Sequence, residues 1–219
     1  MENLEVLCRN HMIEVCNANP DPSHDILHVE RVVSLAKKLA KEENANLDIV
    51  VPAAYLHDCF YISKTDPRRS QASKLSADKA LELLSSWGLS SSLSPGISPD
   101  LLPEIHHAVL AHSFSANVKA KTLEAKVVQD ADRLDAMGAI GIMRCLGFSG
   151  LSLRPFYNQD DPFCEKRTAN DSTNALDHFF VKLLNLQERL NTPAAQAEGA
   201  VRLATMKIFI ESLKLELLV

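Results

Sequence analysis

The sequence places a histidine beside an aspartate, His57-Asp58, near the end of the apolar stretch IVVPAAYLHDCF (residues 49–60). An imidazole and a carboxylate in such a segment would be badly desolvated unless something binds them, because unpaired buried polar groups are costly. A metal ion would satisfy both groups. Neighbouring residues of a helix point about 100° apart, so other elements must complete the coordination. The pair therefore predicts further histidine and aspartate ligands elsewhere in the chain.

Candidate ligands lie on both sides of this pair. Upstream, SHDILHVERV (residues 23–32) contains His24, His28 and Arg31, which share one sector of a helix. Downstream, QDADRLDAMG (residues 129–138) contains three aspartates. An isolated HxxxH pair is more often one core histidine and one surface residue, and three acids are often a solvated face. The downstream His-Asp pair makes metal ligation the better interpretation here.

Taken in chain order, His28, His57-Asp58 and Asp132 resemble the H…HD…D signature of the HD superfamily of metal-dependent phosphohydrolases. The resemblance implies that these four residues bind a divalent metal ion. It extends over nearly the whole chain and is similar to a bacterial branch of small, stand-alone HD-domain hydrolases. The segments that carry it are SHDxxHxxRV, AHSFS (111–115), QDADRLDAMGAIGIMR (129–144), DPF (161–163) and ALDHFFVKLLNL (175–186).

Two imidazoles and two carboxylates form a mixed nitrogen and oxygen ligand set. Such a set suits Mn, Mg, Fe, Ni, Co or Zn and does not choose among them. The ion would acidify a water molecule and polarise a phosphoryl group. No thiolate set, Ser-His-Asp arrangement or glycine-rich phosphate loop competes for the role. We therefore expect a metal-dependent phosphohydrolase.

The substrate class follows from the resemblance alone, which implies a small phosphorylated molecule and specifically a nucleotide. A (deoxy)nucleoside triphosphate pyrophosphohydrolase is one form of this activity. A phosphomonoesterase or phosphodiesterase is the alternative enzyme, although no GYP motif follows the His-Asp pair as in the cyclic-dinucleotide branch. A catalytically silent, metal-stabilised regulatory domain is the third hypothesis, but such proteins are expected to lose a ligand, and all four are present.

Further residues are candidates for catalysis and substrate binding. A titrating group within one hydrogen bond of the water or the leaving oxygen could move its proton. The catalytic candidates are Asp58, His112 and Asp135, and the substrate-binding candidates are His24, Arg31, Lys64 and His107. In the branch that the chain resembles, the positions of His107 and His112 belong to the motif and that of His106 does not. Core histidines and a solvated basic loop are the alternative interpretations.

The three acids of the downstream segment differ in their helical phase. Asp132 and Asp135 share a side of the helix, whereas Asp130 lies about 200° around the helix from Asp132. Since Asp132 also occupies the last position of the motif, we expect Asp132 to bind the metal, with Asp135 close by. Asp130 should face away.

Residues that typically begin and end helices recur along the chain, and the alternation of apolar and polar residues that is typical of strands is nearly absent. We therefore predict an all-α fold, a compact helical bundle of the HD type. Predicted helices cover residues 3–17, 71–87, 123–148 and 193–218. Asp21 or Ser23 should cap the helix of His28, Asp48 the helix of His57, and Ser172 or Thr173 a helix after the irregular segment 150–171.

Length and composition bound the remaining expectations. The 219 residues suit one domain, residues 1–219, with a metal-binding core at about 23–136 and C-terminal helices at about 172–218 packing on it. A net charge of −5 argues against general nucleic-acid binding. The sequence shows no signal peptide or apolar run of ~20 residues, so we expect no membrane association. Five scattered cysteines without a CxxC suit a reducing cytoplasm. A homodimer is left open.

Overall fold

The computed structural model describes residues 2–21, 24–62, 66–90, 97–113 and 118–217. Within these ranges it contains α-helices and single 3-10 turns but no β-strand, which confirms the all-α prediction. The helices are α1 (Glu2–Ala18), α2 (Ile26–Glu43), α3 (Leu47–Leu56), α4 (Ala72–Ser90), α5 (Leu102–Ala111), α6 (Leu123–Asp135), α7 (Gly138–Leu151), α8 (Asp177–Val181) and α9 (Pro193–Leu217).

The chain forms two compact units, Met1–Asp132 and Arg133–Val219. The first contains α1 to α5 and most of α6, and the second contains the end of α6 with α7, α8 and α9. The organisation as one domain stays a prediction.

Helix α3 is the central element of the first unit. Its residues from Ile49 to Leu56 are all buried, and it packs against α1, α2 and α5. A helix that is apolar on every side is stable only when other elements surround it. The C-terminus of α3 therefore places His57 in the interior of this unit, with Asp58 directly after it.

Helix α2 begins two residues before His28. The Asp25 carboxylate accepts a hydrogen bond from the backbone N–H of His28 at 2.8 Å, so Asp25 is the N-cap. The predicted caps were wrong: Asp21 instead contacts the ring of His24, and Ser23 lies outside the described residues. The buried side chains of α2 include His28, Val32, Ala36 and Leu39, so His28 faces the core of this unit.

Helix α3 is capped by Asn46, whose side-chain oxygen accepts from the N–H of Asp48 at 2.9 Å. The prediction that Asp48 is the cap was therefore wrong by two residues. Asp48 lies in the first turn, where a carboxylate interacts favourably with the positive end of the helix dipole. Pro52 lies inside the helix.

The prediction of one helix over residues 123–148 was also wrong. Helix α6 ends at Asp135, and α7 begins at Gly138, which has φ of +69°. Glycine adopts this left-handed conformation without the steric penalty that other residues pay. The carbonyl of Leu134 accepts hydrogen bonds from the Met137 N–H at 3.0 Å and from the Arg202 side chain at 2.7 Å. The chain thus breaks before Gly138.

The helix predicted after Ser172 or Thr173 is shorter than expected and is capped by neither residue. The Asn170 side-chain oxygen accepts from the Ser172 N–H and hydroxyl, and the Asn170 carbonyl accepts from the Thr173 N–H. Local bonds of this kind compete with helix formation. Helix α8 therefore begins only at Asp177, whereas α9 matches its predicted bounds closely.

No single helix in the described parts of the chain is both long and apolar enough to cross a membrane. Helices α6 and α7 are long and apolar enough for this only when they are taken together, and the chain bends between them.

Candidate metal centre

The ends of four helices in the first unit bring the candidate ligands together. His28 lies in the first turn of α2, His57 is the C-cap of α3 with Asp58 directly after it, and His112 is the C-cap of α5. Asp132 lies near the end of α6. Three imidazole rings form a chain of edge-to-face contacts, with centroids of His28 and His57 at 5.3 Å and those of His57 and His112 at 5.0 Å.

The donor atoms of this group converge. The Nε2 atoms of His28 and His57 are 3.3 Å apart. The nearest carboxylate oxygens of Asp132 and Asp58 are each 3.8 Å from one of these atoms, Asp132 from His28 and Asp58 from His57. The ligand atoms of His28, His57 and Asp58 all lie within 4.8 Å of one another, so these three residues can hold a divalent metal ion.

The protonation of His57 supports this fit. Its Nδ1 is 2.7 Å from the carbonyl oxygen of Ala54, which can only accept, so Nδ1 carries the proton and Nε2 presents a lone pair. Two imidazole nitrogens at 3.3 Å are repulsive unless a proton or a cation lies between them. A mixed set of imidazole and carboxylate donors suits a first-row divalent metal.

Asp58 is the exposed member of the group. Its side chain is 39% exposed, whereas those of His28 and His57 are buried. Burial alone would raise the pKa of Asp58, but the hydrogen bond with His112 and the nearby imidazoles hold this pKa well below its usual range. Asp58 is thus ionised and accessible, as a metal ligand beside a substrate must be.

His112 supports Asp58 from the buried side. Its Nε2 lies 3.4 Å from an Asp58 carboxylate oxygen, and its Nδ1 lies 2.6 Å from the carbonyl oxygen of Val109. Burial would lower the pKa of His112, but Asp58 and Asp132 raise it. The ring can therefore hold a proton on each nitrogen and orient the carboxylate of Asp58.

Asp132 and Asp130 have different surroundings. Burial would raise the pKa of Asp132, but the imidazoles of His57, His28 and His112 lower it. Asp130 is completely buried and has interactions of its own. The structure thus places Asp132 beside His28, and its role as the metal ligand stays a prediction.

Two of the remaining candidates lie against identified partners. The ring of His24 contacts that of His28 at 5.7 Å, and its Nδ1 is 3.1 Å from Asp21. The Nε2 of His107 accepts a hydrogen bond from the backbone N–H of Lys121 at 2.9 Å, and burial lowers the pKa of His107. His24 therefore adjoins the metal centre, while His107 holds the segment before α6.

The other candidates have a less direct relation to the site. Asp135 belongs to the second unit, where its carboxylate forms an ion pair with Arg144 at 3.0 Å. Arg31 is half-buried on α2, and Lys64 lies outside the described residues. The substrate and catalytic roles of these three residues stay predictions.

Two features near the site depend on contacts that no motif predicts. The side-chain amide of Gln129 donates to the carbonyl of Ala111 at 2.5 Å and so joins α6 to the end of α5 beside His112. The only hint in the sequence is an amide next to the aspartate-rich motif. The thiol of Cys59 donates to the Ser76 carbonyl at 3.3 Å, and burial raises its pKa to about 12. Cys59 is therefore a neutral thiol at neutral pH.

A family model described as the HD domain matches residues 26–137, which include His28, His57, Asp58 and Asp132. Among known proteins, the uncharacterized protein YpgQ of Bacillus subtilis (strain 168) is 33% identical over 195 residues. The alignment covers 87% of this chain and 83% of YpgQ.

Solved structures of similar fold cover both units of the chain. The structure of B. subtilis YpgQ in complex with ADP has a TM-score of 0.71 at 28% identity and covers 98% of this chain and 95% of that one. A protein from Lactobacillus plantarum has a TM-score of 0.76 at 29% identity, with coverage of 99% and 97%. An HD-superfamily hydrolase from Bacillus thuringiensis has a TM-score of 0.70 at 29% identity, with coverage of 98% and 96%.

Proposed function

The chain belongs to the HD-domain family of metal-dependent hydrolases, and from this premise we propose that it is a phosphohydrolase acting on nucleotides. The first form to test is cleavage of a (deoxy)nucleoside triphosphate to the monophosphate and pyrophosphate. The observation that carries the proposal is the convergence of His28, His57 and Asp58, with Asp132 beside them.

Different residues of the chain have different roles in the proposed reaction. His28, His57, Asp58 and Asp132 would hold the ion, which when bound supplies Lewis-acid activation of water and of the phosphoryl group. His112 orients Asp58 and can move a proton at its Nε2. The exposure of Asp58 leaves one side of the group open to a substrate.

Cationic groups would meet the phosphates of the substrate. His24 lies against His28, while Arg31 and Lys64 are proposed from the sequence. We propose a nucleotide because the relative YpgQ has been crystallised with ADP. The fold alone would not distinguish a nucleotide from another phosphate ester.

The experiment that tests this function is a product screen with the purified protein in Mn²⁺, Mg²⁺, Co²⁺, Ni²⁺, Fe²⁺ and Zn²⁺. Nucleoside mono-, di- and triphosphates and p-nitrophenyl phosphate are offered, and orthophosphate and pyrophosphate are measured separately. We expect pyrophosphate from triphosphates, with Mn²⁺ tested first. Orthophosphate from monophosphates or from p-nitrophenyl phosphate would instead identify a phosphomonoesterase. Metal binding without turnover of any substrate would favour the silent regulatory domain.

A further inference from the structure

Helix α9 carries apolar side chains on two opposite faces. One face lies in the interior of the second unit, where Gly199, Met206 and Ile210 are buried. On the other face Val201, Ile208 and Leu215 are 68%, 67% and 73% exposed. A surface helix normally has one apolar stripe and one polar face, so a second apolar stripe on a helix of 25 residues needs a partner.

The exposed stripe has the spacing of a helix-pairing seam. Val201, Ile208 and Leu215 are seven residues apart, at the a positions of a heptad. The exposed small residues Ala197 and Ala204 occupy the d positions that precede Val201 and Ile208. Such a repeat keeps one seam facing a second helix along its length, which for α9 is about 37 Å. The periodicity therefore identifies a helix as the partner.

We propose that this stripe is a dimer interface, and that its partner is α9 of a second copy of this chain in antiparallel orientation. A two-fold axis near residue 206 places Leu215 opposite Ala197, and Ile208 opposite Ala204. The same register places Val201 opposite Glu211, so two of the three kinds of layer combine a large apolar side chain with a small one. In a parallel pair Glu211, at a d position, would face its own copy, and like charges would meet.

The area of the stripe is consistent with a stable dimer. Burial of one valine, isoleucine or leucine removes on the order of 100 Å² of apolar surface, so six side chains from two copies supply roughly 600 Å². Specific interfaces bury about 1,200 Å² or more in total, of which a little over half is apolar. The flanking alanine, threonine and lysine side chains of α9 supply the remainder.

The test measures the oligomeric state of the full chain by sedimentation equilibrium. The protein concentration is varied over about 1–100 µM, so that it spans the dissociation constant of a weak or standard interface. We expect a dimer for the natural sequence. Ile208→Glu should raise the dissociation constant about 100-fold or more, because two charges enter an apolar seam. Leu215→Glu, which places a charge opposite Ala197, should act in the same direction, which guards against an effect confined to one variant. Leu153→Glu changes a side chain that is 91% exposed outside the stripe and should leave the dimer intact.

The orientation is tested with Thr205→Cys and a short bismaleimide cross-linker. In the proposed register Thr205 lies opposite Lys207 of the second copy, and the two Thr205 side chains are offset by only two residues, about 3 Å, along the helix axis. The variant should therefore form cross-linked dimers beyond the level of the natural sequence and of Ser85→Cys on α4. A protein that is still a monomer at about 100 µM, or a dimer unaffected by Ile208→Glu and Leu215→Glu, would overturn the interface. A dimer that Thr205→Cys does not cross-link would overturn the antiparallel pairing.

Discussion

Asp132 and Asp130 lie two residues apart on α6, and the two carboxylates should respond differently to the same substitution. Asp132→Asn removes a negative ligand 3.8 Å from His28, so metal affinity should fall about 10–100-fold or more. Asp130→Asn changes a completely buried side chain and should lower stability while each folded molecule keeps its metal. Metal per folded molecule is measured by elemental analysis after gel filtration. Loss of metal in Asp130→Asn alone would reverse the assignment.

The sequence was informative about which residues meet at the site, because a motif records chemistry that several helix ends must share. His28, His57, Asp58 and Asp132 were predicted as a group, and the structure brings them together. The role of Asp135 could not be judged from spacing, because its partner Arg144 lies nine residues away beyond the end of α6. Nor could the sequence show that Gln129 joins two helices.

Helices with a single buried stripe were predictable, whereas their ends were not. The period of α2 and the apolar run of α3 indicate helices directly, but Asn46 and Asp48 are both good capping residues and only the backbone geometry selects Asn46. The break between α6 and α7 was hidden for a related reason. Gly138 is compatible with a weak helix position and with a left-handed turn, and Arg202, 64 residues later, contributes to the choice.

Two glycines of α7 should therefore respond with opposite sign to alanine. At Gly138 a Cβ would lie 3.2 Å from side-chain atoms of Arg202 and φ is +69°, so Gly138→Ala should destabilise by about 1–2 kcal/mol. At Gly147 a Cβ would meet nothing within 4 Å inside a helix, so Gly147→Ala should stabilise by about 0.5–1 kcal/mol. Urea unfolding measures both. Equal effects of the same sign would contradict the helix break.

At the scale of the whole molecule, acid stability should depend on a buried carboxylate in the second unit. Asp177 is completely buried and accepts two hydrogen bonds from Arg167, at 2.5 and 2.7 Å. Burial would raise the pKa of Asp177, but Arg167 and the Asn170 N–H lower it. A carboxyl whose pKa is lower in the folded state than its unfolded value of about 3.9 stabilises the fold above that value. This stability is lost as the pH falls through the folded pKa.

Arg167→Met should consequently lower the melting temperature by about 5 °C at pH 7, and the difference should shrink below about pH 4. Calorimetry between about pH 3 and about pH 8, a range that includes the titration of an ordinary carboxyl, provides the measurement. Arg68→Met, which breaks an exposed pair with Asp66, is the matched control and should change little at any pH. A deficit for Arg167→Met that is the same at every pH would show that packing, not charge, is lost.

The central claim is that His28, His57, Asp58 and Asp132 form one metal centre that performs hydrolysis. The most direct measurement compares metal content and nucleotide hydrolysis in Asp58→Asn and in Asp100→Asn, an exposed aspartate in the turn before α5. The account predicts that Asp58→Asn loses metal affinity and activity together, by about 100-fold or more, with its helical spectrum unchanged, and that Asp100→Asn keeps both. Full metal and full activity in Asp58→Asn would contradict the account.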